Sequence, residues 1–131
     1  MKDCVFCKIV KNEIPSEKVM EDKDHLAILS ITPVYDGMTV ILTKKHFDSY
    51  IYKTMADEEL AKLHIFAKKV AVLLDQKLGS ERCIQIMEGL DVNHAHIKLF
   101  PKYKGVYKVN AERELPVDIT TLKKVALKIK N

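Results

Sequence analysis

The 131-residue sequence has no stretch approaching the roughly 18 consecutive apolar residues of a membrane-spanning helix. Its opening Met1-Lys2-Asp3-Cys4 leads into no apolar segment of the kind a secretory signal needs, so a cytoplasmic location with no membrane partner is expected. Cysteine is too scarce, at three residues, for a disulfide framework. No block of five or more like charges occurs, although the formal net charge is +4. The lysines are spread along the chain, which argues against a dedicated duplex binder and fits a positively biased pocket for a phosphorylated small molecule. There is no internal repeat and no low-complexity segment. What remains, 47% apolar and 31% charged residues, is the composition of one soluble core, and a single domain over residues 1–131 is expected.

The pattern along the chain reads as an α+β domain. Cys4 to Lys11 has enough helix formers for a short helix, which Ile14-Pro15-Ser16 ends because the residue before proline is driven towards extended conformations. Lys18 to Glu21 reads as a short edge strand and His25 to Ile31 as a buried one. Thr32-Pro33 and Asp36-Gly37 mark a turn, and Met38 to Thr43 gives a third strand rich in β-branched residues. The period then changes. Leu60, Leu63, Ala67, Val70, Leu74 and Leu78 recur at three- and four-residue steps, so a long helix is predicted over Thr54 to Leu78, with Thr54 as its cap and Gly79 as its stop. Arg82 to Met87 and Asn93 to Pro101 complete a five-stranded, mainly antiparallel sheet, and Thr120 to Lys130 suits a short terminal helix.

Chemistry concentrates in Asn93-His94-Ala95-His96-Ile97-Lys98-Leu99-Phe100-Pro101. On a strand, His94, His96, Lys98 and Phe100 fall on one side and Ala95, Ile97 and Leu99 on the other, facing the core. An amphipathic strand with its polar side in water gives the same pattern. Cys4 and Cys7, spaced Cys-x-x-Cys, suit metal or redox chemistry in a reducing compartment, while Cys83 reads as core. His25 and His64 read as ordinary surface or boundary residues.

This stretch resembles the His-x-His-x-His signature of the histidine triad (HIT) superfamily, and the resemblance extends further. Cys4-Val5-Phe6-Cys7-Lys8-Ile9-Val10, Glu13-Ile14-Pro15, Gly37 with Thr39-Val40-Ile41, and Lys44-Lys45-His46 look like that family's landmarks in their usual order. The match covers residues 4–102, leaving 103–131 as a C-terminal extension. It implies a nucleotide or dinucleotide substrate attacked at its α-phosphate by His96, through a nucleotidyl-histidine intermediate, with hydrolysis or transfer to follow. It implies structural Zn2+ on Cys4, Cys7, His46 and His94, as in the zinc-bearing bacterial and archaeal branch of the superfamily. It also implies a homodimer and no specific nucleic-acid partner.

Departures from the family bear on the same expectations. Lys98 stands where the third signature histidine belongs; a lysine grips an anionic phosphate but gives up a proton reluctantly. Ser30 replaces an aspartate that holds the ribose hydroxyls, Met38 replaces a histidine, and the loop Met87 to Asn93 is short. Phe6, Ile9, Leu29, Ser30 and Lys98 are the expected nucleotide contacts, although Phe6, Ile9 and Leu29 would equally serve as core. The alternative is a nucleotide-binding or regulatory module with little or no turnover.

Overall fold

The computed structural model describes residues 3–106 and 116–130. Nine elements follow in chain order: α1 (Val5–Val10), β1 (Lys18–Glu21), β2 (His25–Leu29), β3 (Thr39–Thr43), α2 (Ile51–Thr54), α3 (Asp57–Leu78), β4 (Arg82–Ile86), β5 (His96–Lys102) and α4 (Ile119–Lys130). The strands form one sheet in the order β1-β2-β3-β5-β4, with every neighbouring pair antiparallel. This is the expected α+β architecture, with the long helix packed on the sheet and short helices near either end of the chain.

Local chemistry accounts for most boundaries. The Cys4 side chain caps α1 by accepting from the Cys7 amide, and Asn12 ends the helix in the left-handed region, where asparagine is tolerated. Gly79, at φ 74°, closes α3 with its amide on the Asp75 carbonyl. The start of α3 differs from expectation. Thr54 ends the separate four-residue helix α2, Met55 is extended, and Ala56 precedes α3 without a side-chain cap. Asp57, Glu58 and Glu59 in the first turn meet the positive end of the helix dipole instead.

Antiparallel register puts paired residues on one face, and the two faces are packed differently. Ala27, Leu29, Ile41, Ile97 and Leu99 meet Leu63, Phe66, Ala67, Val70 and Leu74 of α3. Leu122, Val125, Ala126 and Ile129 of α4 are buried in the same cluster, so the segment beyond the resemblance helps build the core. Burying each of its larger side chains contributes about 1.5–3 kcal/mol. On the opposite face Leu26, Ile28, Val40 and Leu42 are covered by Ile9, Phe6, Val10 and Ile14. His96 pairs with Leu42 and Lys98 with Val40, so both project from this second face, beneath α1.

Candidate active site and metal-ligand cluster

The strand carrying the signature starts later than the sequence suggests. β5 begins at His96, and His94 lies just before it in irregular chain, held by its own amide on the Val92 carbonyl. The competing reading, an amphipathic strand whose polar side merely meets water, does not hold for the two histidines. His94 and Phe100 are wholly buried and His96 is 4% exposed, with the Phe6 ring of α1 packed edge-on against both imidazoles.

Two backbone carbonyls orient the histidines. His94 Nε2 donates to the Thr43 carbonyl at 2.6 Å, which turns Nδ1 towards Cys4 Sγ at 3.3 Å, Cys7 Sγ at 3.5 Å and His46 Nδ1 at 3.2 Å. The four donor atoms of Cys4, Cys7, His46 and His94 all lie within 4.8 Å of one another. A tetrahedral site with metal–sulfur bonds near 2.3 Å and metal–nitrogen bonds near 2.0–2.1 Å has edges of about 3.4–3.8 Å. The donors present therefore fit such an ion, and the Thr43 carbonyl is the outer partner that a metal-bound imidazole ordinarily has. Burial holds the His94 imidazole below its ordinary 6.5, in the neutral form that ligates. Burial, reinforced by the adjacent Cys4, pushes the Cys7 thiol up. Two sulfurs this close ionise together only beside a cation.

His96 Nδ1 donates to the His94 carbonyl at 2.6 Å, leaving Nε2 with its lone pair. Burial pushes this imidazole below 6.5 and the Lys98 ammonium acts in the same direction, against the His94 carbonyl, so the ring is neutral at pH 7. The Phe6 ring packs edge-on against it, with centroids 5.0 Å apart. His96 is buried but not walled off. It opens onto a cleft of about 460 Å³ that is also lined by Phe6, Ile9, Leu29, Ser30 and Lys98, and so brings together every residue expected to meet a nucleotide.

Several features of the cleft are not legible in the sequence. Lys98 Nζ lies 3.2 Å from Glu88 Oε1 and 4.0 Å from Asp91 Oδ2, both on the loop before β5. That loop is pinned: the Ser49 hydroxyl donates to the Gly89 carbonyl at 2.7 Å, and Asn93 Oδ1 accepts the Ser49 amide at 2.9 Å. Gly89 has φ 64°, and a Cβ there would stand 2.5 Å from Ser49 Cβ, so glycine is required. The mouth of the cleft is walled by Ile119, Leu122 and Lys123 of α4, and Lys123 Nζ meets Glu17 Oε1 at 2.8 Å. Ser30 lines the cleft, but its hydroxyl oxygen already accepts the Thr32 amide at 3.1 Å.

His25 corrects another expectation. It is 4% exposed, stacked on Phe66 with centroids 5.0 Å apart, and faces α3 rather than solvent. Cys83 is only partly buried; desolvation and Asp75 push its thiol up to about 12, which makes it unreactive. None of the helices among the described residues is long and apolar enough to cross a membrane.

Comparison with known proteins places this geometry. The HIT domain family matches residues 11–105. An uncharacterised HIT-like protein of Methanocaldococcus jannaschii is 36% identical over 107 residues, covering 78% of this chain and 81% of its own length. The adenosine 5'-monophosphoramidase of Saccharomyces cerevisiae is 35% identical over 102 residues, covering 76% of this chain and 62% of the yeast protein. Among solved structures, a zinc-bound histidine triad family protein from Mycobacterium smegmatis superposes with a TM-score of 0.79 at 23% identity, covering 98% of this chain and 94% of its own.

Proposed function

The chain belongs to the HIT domain family, and from that premise we propose that it is a nucleotidyl hydrolase or transferase with His96 as its nucleophile. The observation that carries this reading is the neutral, buried imidazole whose Nδ1–H is fixed on the His94 carbonyl, leaving the Nε2 lone pair for a nucleotide in the cleft beside Lys98. Nε2 attacks the α-phosphorus of a dinucleoside polyphosphate or nucleoside phosphoramidate. The bond from phosphorus to the leaving oxygen or nitrogen breaks, and the electron pair departs with that atom. Water, or an acceptor such as phosphate, then attacks the nucleotidyl-histidine and returns Nε2 to the neutral ring. Lys98 holds the phosphate oxygens. Phe6, Ile9 and Leu29 wall the base, and Ser30 lies at the ribose end.

A structural zinc on Cys4, Cys7, His46 and His94 belongs to the same reading. Its support is the donor set, the spacing of the four atoms and the zinc reported for the mycobacterial relative. All four positions are filled by protein, so the metal clamps α1 to the segment entering β5 and supplies no open coordination site. A homodimer is supported by β4 standing at the edge of the sheet with no further strand on it among the described residues, and by Ile65 and Val72, seven residues apart on α3 and exposed.

The second reading, binding with little turnover, is favoured by Lys98 being already paired with Glu88 and by the occupied Ser30 hydroxyl. Turnover of diadenosine tetraphosphate and adenylyl phosphoramidate by wild type and His96→Ala separates the two. The expected outcome is activity in the wild type, abolished in the variant with nucleotide binding retained. Equal activity in the variant excludes His96 as nucleophile, and binding without product from the wild type leaves only the second reading.

A further inference from the structure

A second cavity, of about 280 Å³, lies on the other face of the sheet at the start of β2 and the end of β3. Lys23, Lys44, Lys45 and Lys62 line it, and His25 is part of its wall. His25 pairs with Thr43 and shares the α3 face with Ala27 and Leu29, whereas His96 pairs with Leu42 on the opposite face. The sheet thus separates this cavity from the nucleotide cleft.

The imidazole is built into position. Its Nδ1 lies 3.0 and 3.1 Å from the two oxygens of Asp22, and Asp22 Oδ1 also accepts the amides of Asp24 at 2.8 Å and His25 at 2.7 Å. Burial alone would raise the Asp22 carboxyl, but these hydrogen bonds outweigh it and hold the group anionic. Nδ1 is therefore turned to Asp22, and Nε2, the ring nitrogen left open to solvent, has no protein partner among the described residues. Four lysines and the carboxylates Asp24 and Glu59 line the cavity, with Asp22 and Glu21 beside it. Lys44 is neutralised by Glu21 at 2.7 Å, and Lys45 sits over the Phe47 ring at 5.1 Å from its centroid. Lys23 and Lys62 carry no ion pair among the described residues. Asp24 and Glu59 are the carboxylates at the rim, and Phe47 and Met55 supply an apolar wall.

We propose that this cavity binds the phosphate group of a small phosphorylated molecule at a site distinct from the His96 cleft. A phosphate presents oxygens to several ammoniums at once, and a P–OH can donate to the Nε2 of His25. The cavity has the volume of roughly nine waters at about 30 Å³ each, room for a phosphate with a few organic atoms against Phe47 and Met55.

The test titrates the full chain with inorganic phosphate and then pyrophosphate at constant ionic strength, following the ring resonances of His25 and the amides of Lys44 and Met55. A saturable change at these positions is expected, absent with chloride. The double substitution Lys23→Ala, Lys62→Ala removes two exposed side chains and should raise the midpoint roughly tenfold with the amide spectrum otherwise unchanged. Lys98→Ala should leave the midpoint where it was. A response matched by chloride, a midpoint indifferent to the lysine pair, or one that follows Lys98 alone would overturn the proposal.

Discussion

At the scale of the residue, the cleft turns on how three groups share charge. His96 is neutral because burial makes the imidazolium costly, and a backbone carbonyl holds its Nδ1 and so leaves Nε2 with the lone pair. Lys98, one step along the same strand face, is held by Glu88 and more distantly by Asp91. On the proposed function, a phosphate entering the cleft competes with a carboxylate for the same ammonium. Glu88→Gln removes that competitor and a repelling charge together. A partly exposed ion pair is worth up to about 1 kcal/mol, so KM for an anionic substrate should fall by up to about fivefold. Steady-state kinetics at low and moderate salt measures it, and an unchanged KM means the pair does not guard the phosphate position. The His-x-His-x-Lys spacing revealed that His96 and Lys98 share a face. Glu88 and Asp91 were invisible because a loop's return path leaves no periodic signal.

At the scale of the element, α3 was legible because its apolar residues recur at helical spacing and Gly79 ends it in the left-handed conformation only glycine adopts freely. Its start was not. Thr54 has the right chemistry for a cap, but its hydroxyl turns back to the Asp48 and Tyr50 carbonyls just before α2. His25 was misread for a similar reason: its burial comes from Phe66 on α3, a contact that strand periodicity does not encode. The Cys4, Cys7, His46 and His94 set was readable only through the family's order of landmarks, since the four residues come from three separate parts of the chain. If a zinc ion holds these parts together, metal removal should loosen α1 first. Metal-stripped protein, or Cys7→Ser, should melt several degrees lower and lose hydrogen-exchange protection over Val5–Val10, while β2 and β3 stay protected. Melting curves paired with exchange mapping check this. An unchanged melting temperature after complete stripping would remove the clamp.

At the scale of the molecule, one sheet serves two faces. The α3 and α4 side supplies most of the apolar core, and the α1 side carries the cleft. The C-terminal segment joins the two, because α4 buries Val125 and Ile129 in the core and also walls the cleft with Ile119 and Lys123. No sequence pattern within residues 119–130 announces that second role. The α3 surface turned away from the sheet exposes Ile65 and Val72, and a dimer through this stripe should be lost in Ile65→Asp, Val72→Asp. Sedimentation velocity on wild type and variant tests it, and equal sedimentation would rule out this stripe as the interface.

The most direct measurement is a rapid acid-free quench of the protein with adenylyl phosphoramidate, followed by peptide mass mapping of any adduct. The expected result is one adenylyl group on His96, absent from His96→Ala and decaying at the rate of product release. Turnover with no adduct on His96, or with the adduct on Lys98 instead, would contradict covalent catalysis by this imidazole.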